Sequence, residues 1–231
     1  TLALQDLSKE QNRALNEIKE ELLTKNVILF QGITSSGKTA IYMKLIKELI
    51  EKGGQVLFLL PEISITSQMV NRFRNFFPNS VQVYHSKFNL NERTEIWKNI
   101  YKGDKNAQVI IGARSSLFLP FKKLDLIVVD EEHEKSYKQF DHAPRYHDRD
   151  AAIYLSKILN SNVILGSATP SLESIVNVNK KKYGIVYLKE RYGGVKPPEI
   201  SIIDLKDSYK RKLIRGDFSN DLINAIYDTL E

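Results

Sequence analysis

The 231-residue sequence contains no cysteine, which excludes disulfide staples and cysteine-ligated zinc or iron–sulfur centres within it and fits a reducing compartment. No apolar run is long enough to cross a bilayer, which takes about 20 residues. The opening residues, Thr1-Leu-Ala-Leu-Gln-Asp6, lack the basic flank, apolar stretch and cleavage site of a secretory leader. There is also no internal repeat and no low-complexity tract. These absences lead to the expectation of a soluble, cytoplasmic protein with no membrane partner. Residue 1 is threonine rather than methionine, so the chain is expected to be a piece of something longer.

What is present is enough for a buried core: 42% of the residues are hydrophobic, and the length suits one domain plus a fragment. Lysine and arginine number 34 against 28 aspartates and glutamates, for a formal charge of +6. That bias permits contact with a polyanion without demanding it. Short apolar runs alternate with amphipathic ones, the pattern of parallel βαβ units. The runs Val27–Phe30, Gln55–Leu60, Ser80–Tyr84, Ala107–Gly112, Leu124–Val129, Asn162–Gly166, Tyr183–Leu188 and Ile200–Leu205 read as strands. Helices are expected near 9–24, 38–51, 66–77, 92–101, 148–159 and 171–178, with another beginning at Ser219. The expected fold class is α/β, with a mostly parallel sheet and helices on both faces.

Three segments at strand ends carry the chemistry. Gly32-Ile33-Thr34-Ser35-Ser36-Gly37-Lys38-Thr39 fits the phosphate-loop pattern G-x-x-x-x-G-K-[ST]. Its glycines let successive backbone NH groups face phosphates at a helix start, Lys38 meets the β and γ phosphates, and Thr39 meets Mg²⁺. Asp130-Glu131-Glu132-His133 follows the almost uninterrupted apolar run Leu124–Val129. Asp130 is thereby placed to serve the metal and Glu131 to orient or deprotonate the attacking water. Gly166-Ser167-Ala168-Thr169-Pro170-Ser171 ends another apolar strand, and its small hydroxyl residues can bridge the phosphate site to a second ligand or simply cap the next helix.

GITSSGKT, DEEH and GSATPS, in that order, resemble motifs I, II and III of superfamily 2 helicases. More narrowly, LLPEISIT at 59–66, GARSSLF at 112–118, DEEHEKSYKQ at 130–139 and PRYHDRD at 144–150 are similar to the PriA family of primosomal replication-restart helicases. The resemblance covers nearly the whole chain and implies a RecA-like first motor lobe, residues 1–206, followed by a linker and the start of a second lobe at 207–231. It implies ATP and Mg²⁺ as cofactors and 3′-to-5′ movement on DNA, single-stranded and forked. It also implies work alongside other primosome and single-strand-binding proteins.

The same resemblance carries roles to individual residues. Lys38 and Thr39 serve the phosphates and metal, Asp130 the metal and Glu131 the water, while His133 couples hydrolysis to Gly166, Ser167, Ala168 and Thr169. Gln11 resembles the glutamine that reads the adenine edge. For DNA, the turns after strands offer Pro61, Glu62 and Thr66, then His85 and Ser86, then Arg114, Ser115 and Ser116, groups able to hold sugar-phosphate without reading bases. The segment from Tyr137 and Lys138 to Arg145 and Tyr146 mixes rings and cations, as base stacking and phosphate neutralisation require.

Two departures stand out. Ser35 occupies a position that is glycine in the family's usual loop. The family's second lobe, its arginine-bearing motif and its zinc-binding cysteines have no counterpart in these residues, so zinc is expected only elsewhere in an intact protein. The chain alone is therefore expected to hydrolyse ATP poorly. Two other readings stay open: a nucleotide-binding module that docks DNA or replication proteins without turnover, and an ATPase that does not act on DNA.

Overall fold

The structure is a computed structural model that describes residues 6–85, 88–141, 143–191, 193 and 200–230. The chain divides into two compact units, Thr1–Gly194 and Val195–Glu231.

In the first unit seven parallel strands form one sheet in the order β3-β4-β2-β5-β6-β1-β7. They are β1 Val27–Gly32, β2 Gln55–Leu59, β3 Val81–Tyr84, β4 Val109–Gly112, β5 Leu124–Asp130, β6 Asn162–Ser167 and β7 Gly184–Leu188. Parallel pairing requires crossovers, and helices supply most of them: α1 Lys9–Glu21 precedes β1, then come α2 Lys38–Glu51, α3 Ser67–Phe76, α4 Leu90–Lys102, α5 Asp148–Leu159 and α6 Leu172–Asn179. The six expected helices and the first seven expected strands are all present, with ends shifted by a few residues.

Side chains along a strand alternate between faces, and both faces here are dry. Ile28 and Phe30 of β1 join Val56 and Phe58 of β2 in a layer with Ala14 and Ile18 of α1, Tyr42 and Ile46 of α2 and Phe73 of α3. Leu29, Leu57, Ile127 and Leu165 face the other way, onto Ile96 and Ile100 of α4 and Ala152 of α5. Burial on both sides accounts for the apolar runs that lack polar alternation. The helices begin where side chains satisfy their first NH groups. Ser8 and Asn89 form capping boxes with Gln11 and Glu92, Thr66 accepts from Met69 N, and Ser171 accepts from Ser174 N.

This topology sets the site. Strands β5, β6 and β1 are adjacent and parallel, with Asp130 opposite Gly166 and Gln31 opposite Ser167. Three motifs far apart in sequence therefore leave the sheet side by side at its carboxyl edge.

The second unit contains α7 Leu205–Lys210, a hairpin of β8 Ile214–Arg215 and β9 Phe218–Ser219, and α8 Asn220–Leu230. The strand expected over 200–205 is not there. Ile200 and Ile202 are exposed, at 82% and 95%, and no ladder partner pairs with them among the described residues. Asp204 accepts from the backbone NH groups of Lys206 and Asp207 and starts α7, so local capping takes the place of a ladder.

Candidate functional site

The phosphate loop grows out of β1 at Gly32. A Cβ there would lie 2.8 Å from Lys38 Cγ and 2.9 Å from Ser36 Oγ, so only glycine lets the loop close on itself. Gly37 takes φ 87° at the N-cap of α2, and Ser35 takes φ 62°, the left-handed region a side chain disfavours. No side chain caps α2 and no acid occupies its first turn. The loop thus presents unspent NH groups and the positive end of a helix dipole, the arrangement that receives an anion. Two further features fit a phosphate ligand: Ser36 Oγ is buried without a hydrogen-bond partner among the described residues, and Lys38 Nζ folds back to donate to Gly32 O at 2.9 Å. A cavity of about 500 Å³ lies against Thr34–Thr39, Arg72, Asp130, Glu131 and Ala168.

The acidic turn at the end of β5 forms the opposite wall. Burial, with the Glu131 charge next to it, raises the Asp130 pKa to about 6, against the pull of Lys38 and of a hydrogen bond from Tyr42. Tyr42 stands one helical turn beyond Lys38 on the same face of α2, and its hydroxyl donates to Asp130 Oδ1 at 3.3 Å. Gly166 makes room for that bond, since a Cβ there would sit 1.9 Å from the Tyr42 hydroxyl oxygen and 2.8 Å from Asp130 Oδ1.

Glu131 holds a left-handed backbone, φ 53°, a strained conformation of the kind that persists where surrounding structure enforces it. Its carboxylate lies 3.7 Å from His133 Nδ1. That nitrogen is 2.8 Å from Ser167 Oγ, which itself accepts from Thr169 N at 3.0 Å. His133 is therefore joined to the Gly166–Thr169 turn directly.

Glu132 points inward and is fully buried. Its carboxylate accepts from Arg149 Nη1 at 3.1 Å, Ser171 N at 2.7 Å, Ser171 Oγ at 2.9 Å and Ser174 Oγ at 3.0 Å. It ties the acidic turn to the starts of both α5 and α6.

Gln11 is buried as well. Its Oε1 accepts from Ser8 N and its Nε2 lies 3.4 Å and 3.5 Å from Ser36 O and Gly37 O. The oxygen thus closes the capping box of α1, and only the amide nitrogen reaches the phosphate loop.

The sheet edge beyond β5 is mixed. Pro61 is buried; Glu62 is exposed, 3.8 Å from His85 Nε2; Thr66 Oγ1 caps α3. Ser86 lies outside the described residues. Arg114 and Ser115 line a cavity of about 220 Å³ with Glu62, Phe118, Gln139 and Tyr146. Ser116 is buried and its hydroxyl donates to Ala113 O, so it faces inward. Tyr137, expected to stack on DNA, is also inside. Its ring is 1% exposed and its hydroxyl sits 2.7 Å from Asp130 O and 3.1 Å from Leu59 O.

The segment after Tyr137 folds back on itself, with Lys138 bridged to His147 and Gln139 N donating to Tyr146 O. Lys138 and Arg145 are exposed. Lys138 Nζ lies 5.2 Å over the Phe140 ring, and Tyr146 meets Phe118 edge-on at 5.6 Å.

The sequence reading missed Tyr42, Arg72, Glu132 and Arg149. Tyr42 carried a signal in its i, i+4 spacing from Lys38, and Glu132 and Arg149 lie within the motifs DEEH and PRYHDRD, which gave them no role of their own; Arg72 carried none.

Fold and site together define a phosphate-loop α/β lobe. The chain belongs to the family described as "Type III restriction enzyme, res subunit", which matches residues 5–172. It is similar to the replication restart protein PriA of Bacillus subtilis, 40% identical over 226 residues that cover 97% of this chain and 28% of the relative. The PriA of Rickettsia felis is 42% identical over 232 residues, covering 100% and 34%. That of Haemophilus influenzae is 46% identical over 182 residues, covering 79% and 24%. The chain thus spans about a third or less of the length of these relatives.

Among solved structures, RecG bound to a three-way DNA junction shares a TM-score of 0.58 at 22% identity, over 83% of this chain and 25% of that one. The DUF1998 helicase MrfA bound to DNA shares 0.60 at 16%, over 82% and 28%. At such identities the likeness concerns the fold, which is RecA-like, as the motifs implied.

Proposed function

We propose that this chain is the ATP-binding motor lobe of a DNA helicase that acts in replication restart. The observation that carries this reading is the convergence of Gly32–Thr39, Asp130–His133 and Gly166–Thr169 on the adjacent strands β1, β5 and β6. Similarity to replication restart proteins over 97% of the chain in the Bacillus subtilis case supports the biological setting.

The residues fit ATP with Mg²⁺, whose contribution when bound is to neutralise charge developing on the terminal phosphates. The NH groups at the start of α2 bind the phosphate oxygens. Lys38 leaves the Gly32 carbonyl to reach them, and Thr39 and Asp130 face the metal position, with Tyr42 orienting the Asp130 carboxylate. Glu131, whose side chain is 37% exposed, orients the attacking water and accepts its proton. His133, held by Ser167, passes the state of this turn to the Gly166–Thr169 turn. Arg114, Ser115, Lys138, Arg145 and Tyr146 hold single-stranded or forked DNA at the same sheet edge, mostly through its backbone. Residues 207–231 begin a second lobe.

Direction of movement is 3′ to 5′, the setting is cytoplasmic, and other primosome and single-strand-binding proteins are partners of the intact protein. Any zinc belongs to parts of that protein outside these residues. In phosphoryl transfer an arginine supplied across a cleft is worth about 10³- to 10⁵-fold in rate, so this lobe by itself turns over slowly.

Titration with a labelled ATP analogue tests the nucleotide site: Lys38→Ala abolishes binding, and retained affinity refutes the phosphate-loop assignment. ATPase measured in a longer chain separates the remaining readings. Strong stimulation by single-stranded DNA is expected of the helicase, turnover indifferent to DNA of an ATPase with another substrate, and no turnover of a docking module.

A further inference from the structure

The cavity against the phosphate loop has a cation that none of the motifs contains. Arg72 lies on α3, outside all three sequence segments, yet it lines the same space as Lys38, Thr39, Asp130 and Glu131. It is exposed, and among the described residues it makes no ion pair or side-chain hydrogen bond. An arginine stem is long, entropically costly to hold and usually solvated at its tip. A guanidinium beside an anion cradle with no carboxylate of its own lacks its natural counter-ion. Its planar fork matches phosphate oxygens in a way a lysine does not.

The electrostatic balance points the same way. The pocket places two carboxylates, Asp130 and Glu131, against one committed cation, Lys38. A magnesium-bound triphosphate brings further net negative charge to a space already short of positive charge.

We infer that Arg72 is a second phosphate-binding cation of the nucleotide site, supplied by the same lobe as Lys38 and acting on the triphosphate tail rather than on the base. The inference rests on the nucleotide reading above. It gives this lobe some of the charge that a cleft-closing arginine completes elsewhere.

The test is a titration of the 231-residue chain and its Arg72→Ala, Arg72→Met, Arg72→Lys and Lys38→Ala variants with a non-hydrolysable ATP analogue, ADP and AMP, at two salt concentrations. Arg72→Ala is expected to weaken the triphosphate by about tenfold, the worth of one charge-assisted contact. AMP should stay unchanged, and Arg72→Lys should recover part of the loss. The deficit should shrink at high salt, as an electrostatic contact requires. Thermal melting of Arg72→Ala should match the wild type, because the side chain is exposed. If Arg72→Met, which keeps the stem without the charge, binds the triphosphate like the wild type while Lys38→Ala loses it, the Arg72 role is wrong and the phosphate loop stands. Equal losses for AMP and triphosphate also overturn the role. If the wild type binds none of the three nucleotides, the nucleotide reading falls and this inference falls with it.

Discussion

Glu132 and Asp148 are both fully buried carboxylates, and the fold treats them in opposite ways. Glu132, at the turn after β5, accepts four hydrogen bonds, one from the buried guanidinium of Arg149. Asp148, in the first turn of α5, has no hydrogen-bond partner on either oxygen among the described residues. Burial raises its pKa to about 8, with only the charge of Arg114 opposing. A charge can therefore be kept inside by surrounding it with donors, or removed by holding a proton at neutral pH. The first solution makes a rigid joint between the acidic turn, α5 and α6. The second leaves a group that costs stability whenever it ionises.

The largest expected effect breaks the first solution. Glu132→Ala leaves buried Arg149 with Asp150, 3.0 Å from its Nε, as its remaining close carboxylate and strips Ser171 and Ser174 of their acceptor; breaking a buried pair costs about 3–5 kcal/mol, and Asp150 holds the loss to the lower end. Denaturant unfolding should show a lower midpoint with the slope retained. In a double-mutant cycle, Arg149→Ala should cost much less in the Glu132→Ala background than alone, because the two side chains share one network. Additive losses would mean that Arg149 and Glu132 are not coupled in the folded protein.

A smaller effect separates the second carboxylate from the first. The folded-state pKa of Asp148, about 8, lies above the ordinary aspartate value near 3.9, so the folded protein binds the extra proton. Its contribution is fully present below the unfolded pKa and is lost as pH rises toward the folded one, with a slope of at most about 1.4 kcal/mol per pH unit. Asp148→Asn should flatten stability between pH 5 and pH 8 and be nearly neutral at the acid end. Parallel pH profiles for the two proteins would show that Asp148 keeps its charge in the folded state.

The same pair shows what sequence can and cannot convey. The phosphate loop, the acidic turn and the Gly166 turn were legible because each depends on residues the backbone demands at fixed spacing: Gly32 and Gly37 for closure, Lys38 and Thr39 at a helix start, apolar runs before each turn. The orientation of neighbours within a motif was not legible. Asp130, Glu131 and Glu132 look alike in a string of acids, and only the left-handed backbone at Glu131 separates the outward carboxylate from the buried one. Tyr137 misled for a related reason. A ring beside cations has the same composition whether it stacks on a ligand or, as here, pins Asp130 O and Leu59 O from within the core. For Gln11, nothing local announces that Ser36 and Gly37 fold close to its amide. The run 200–205 read as a strand because alternation alone does not reveal whether a neighbouring strand exists to pair with it.

The smallest expected effect tests the phosphate side of the comparison, where geometry rather than charge is held under strain. Ser35 adopts φ 62°, a region that costs a non-glycine residue roughly 1–2 kcal/mol. Ser35→Gly removes that cost but gives the unfolded chain more freedom, which takes back about 0.4–1 kcal/mol. The balance lies between zero and a gain of about 1.6 kcal/mol, visible as an unchanged or slightly higher melting temperature. Ser35 is exposed, whereas Ser36 Oγ is buried and Lys38 is anchored on Gly32 O, so the cradle does not depend on the Ser35 side chain. Affinity for an ATP analogue should therefore hold in the glycine variant. A stabilised protein with much weaker nucleotide binding would show instead that the serine hydroxyl is part of the cradle and that its backbone strain is retained for contact with phosphate.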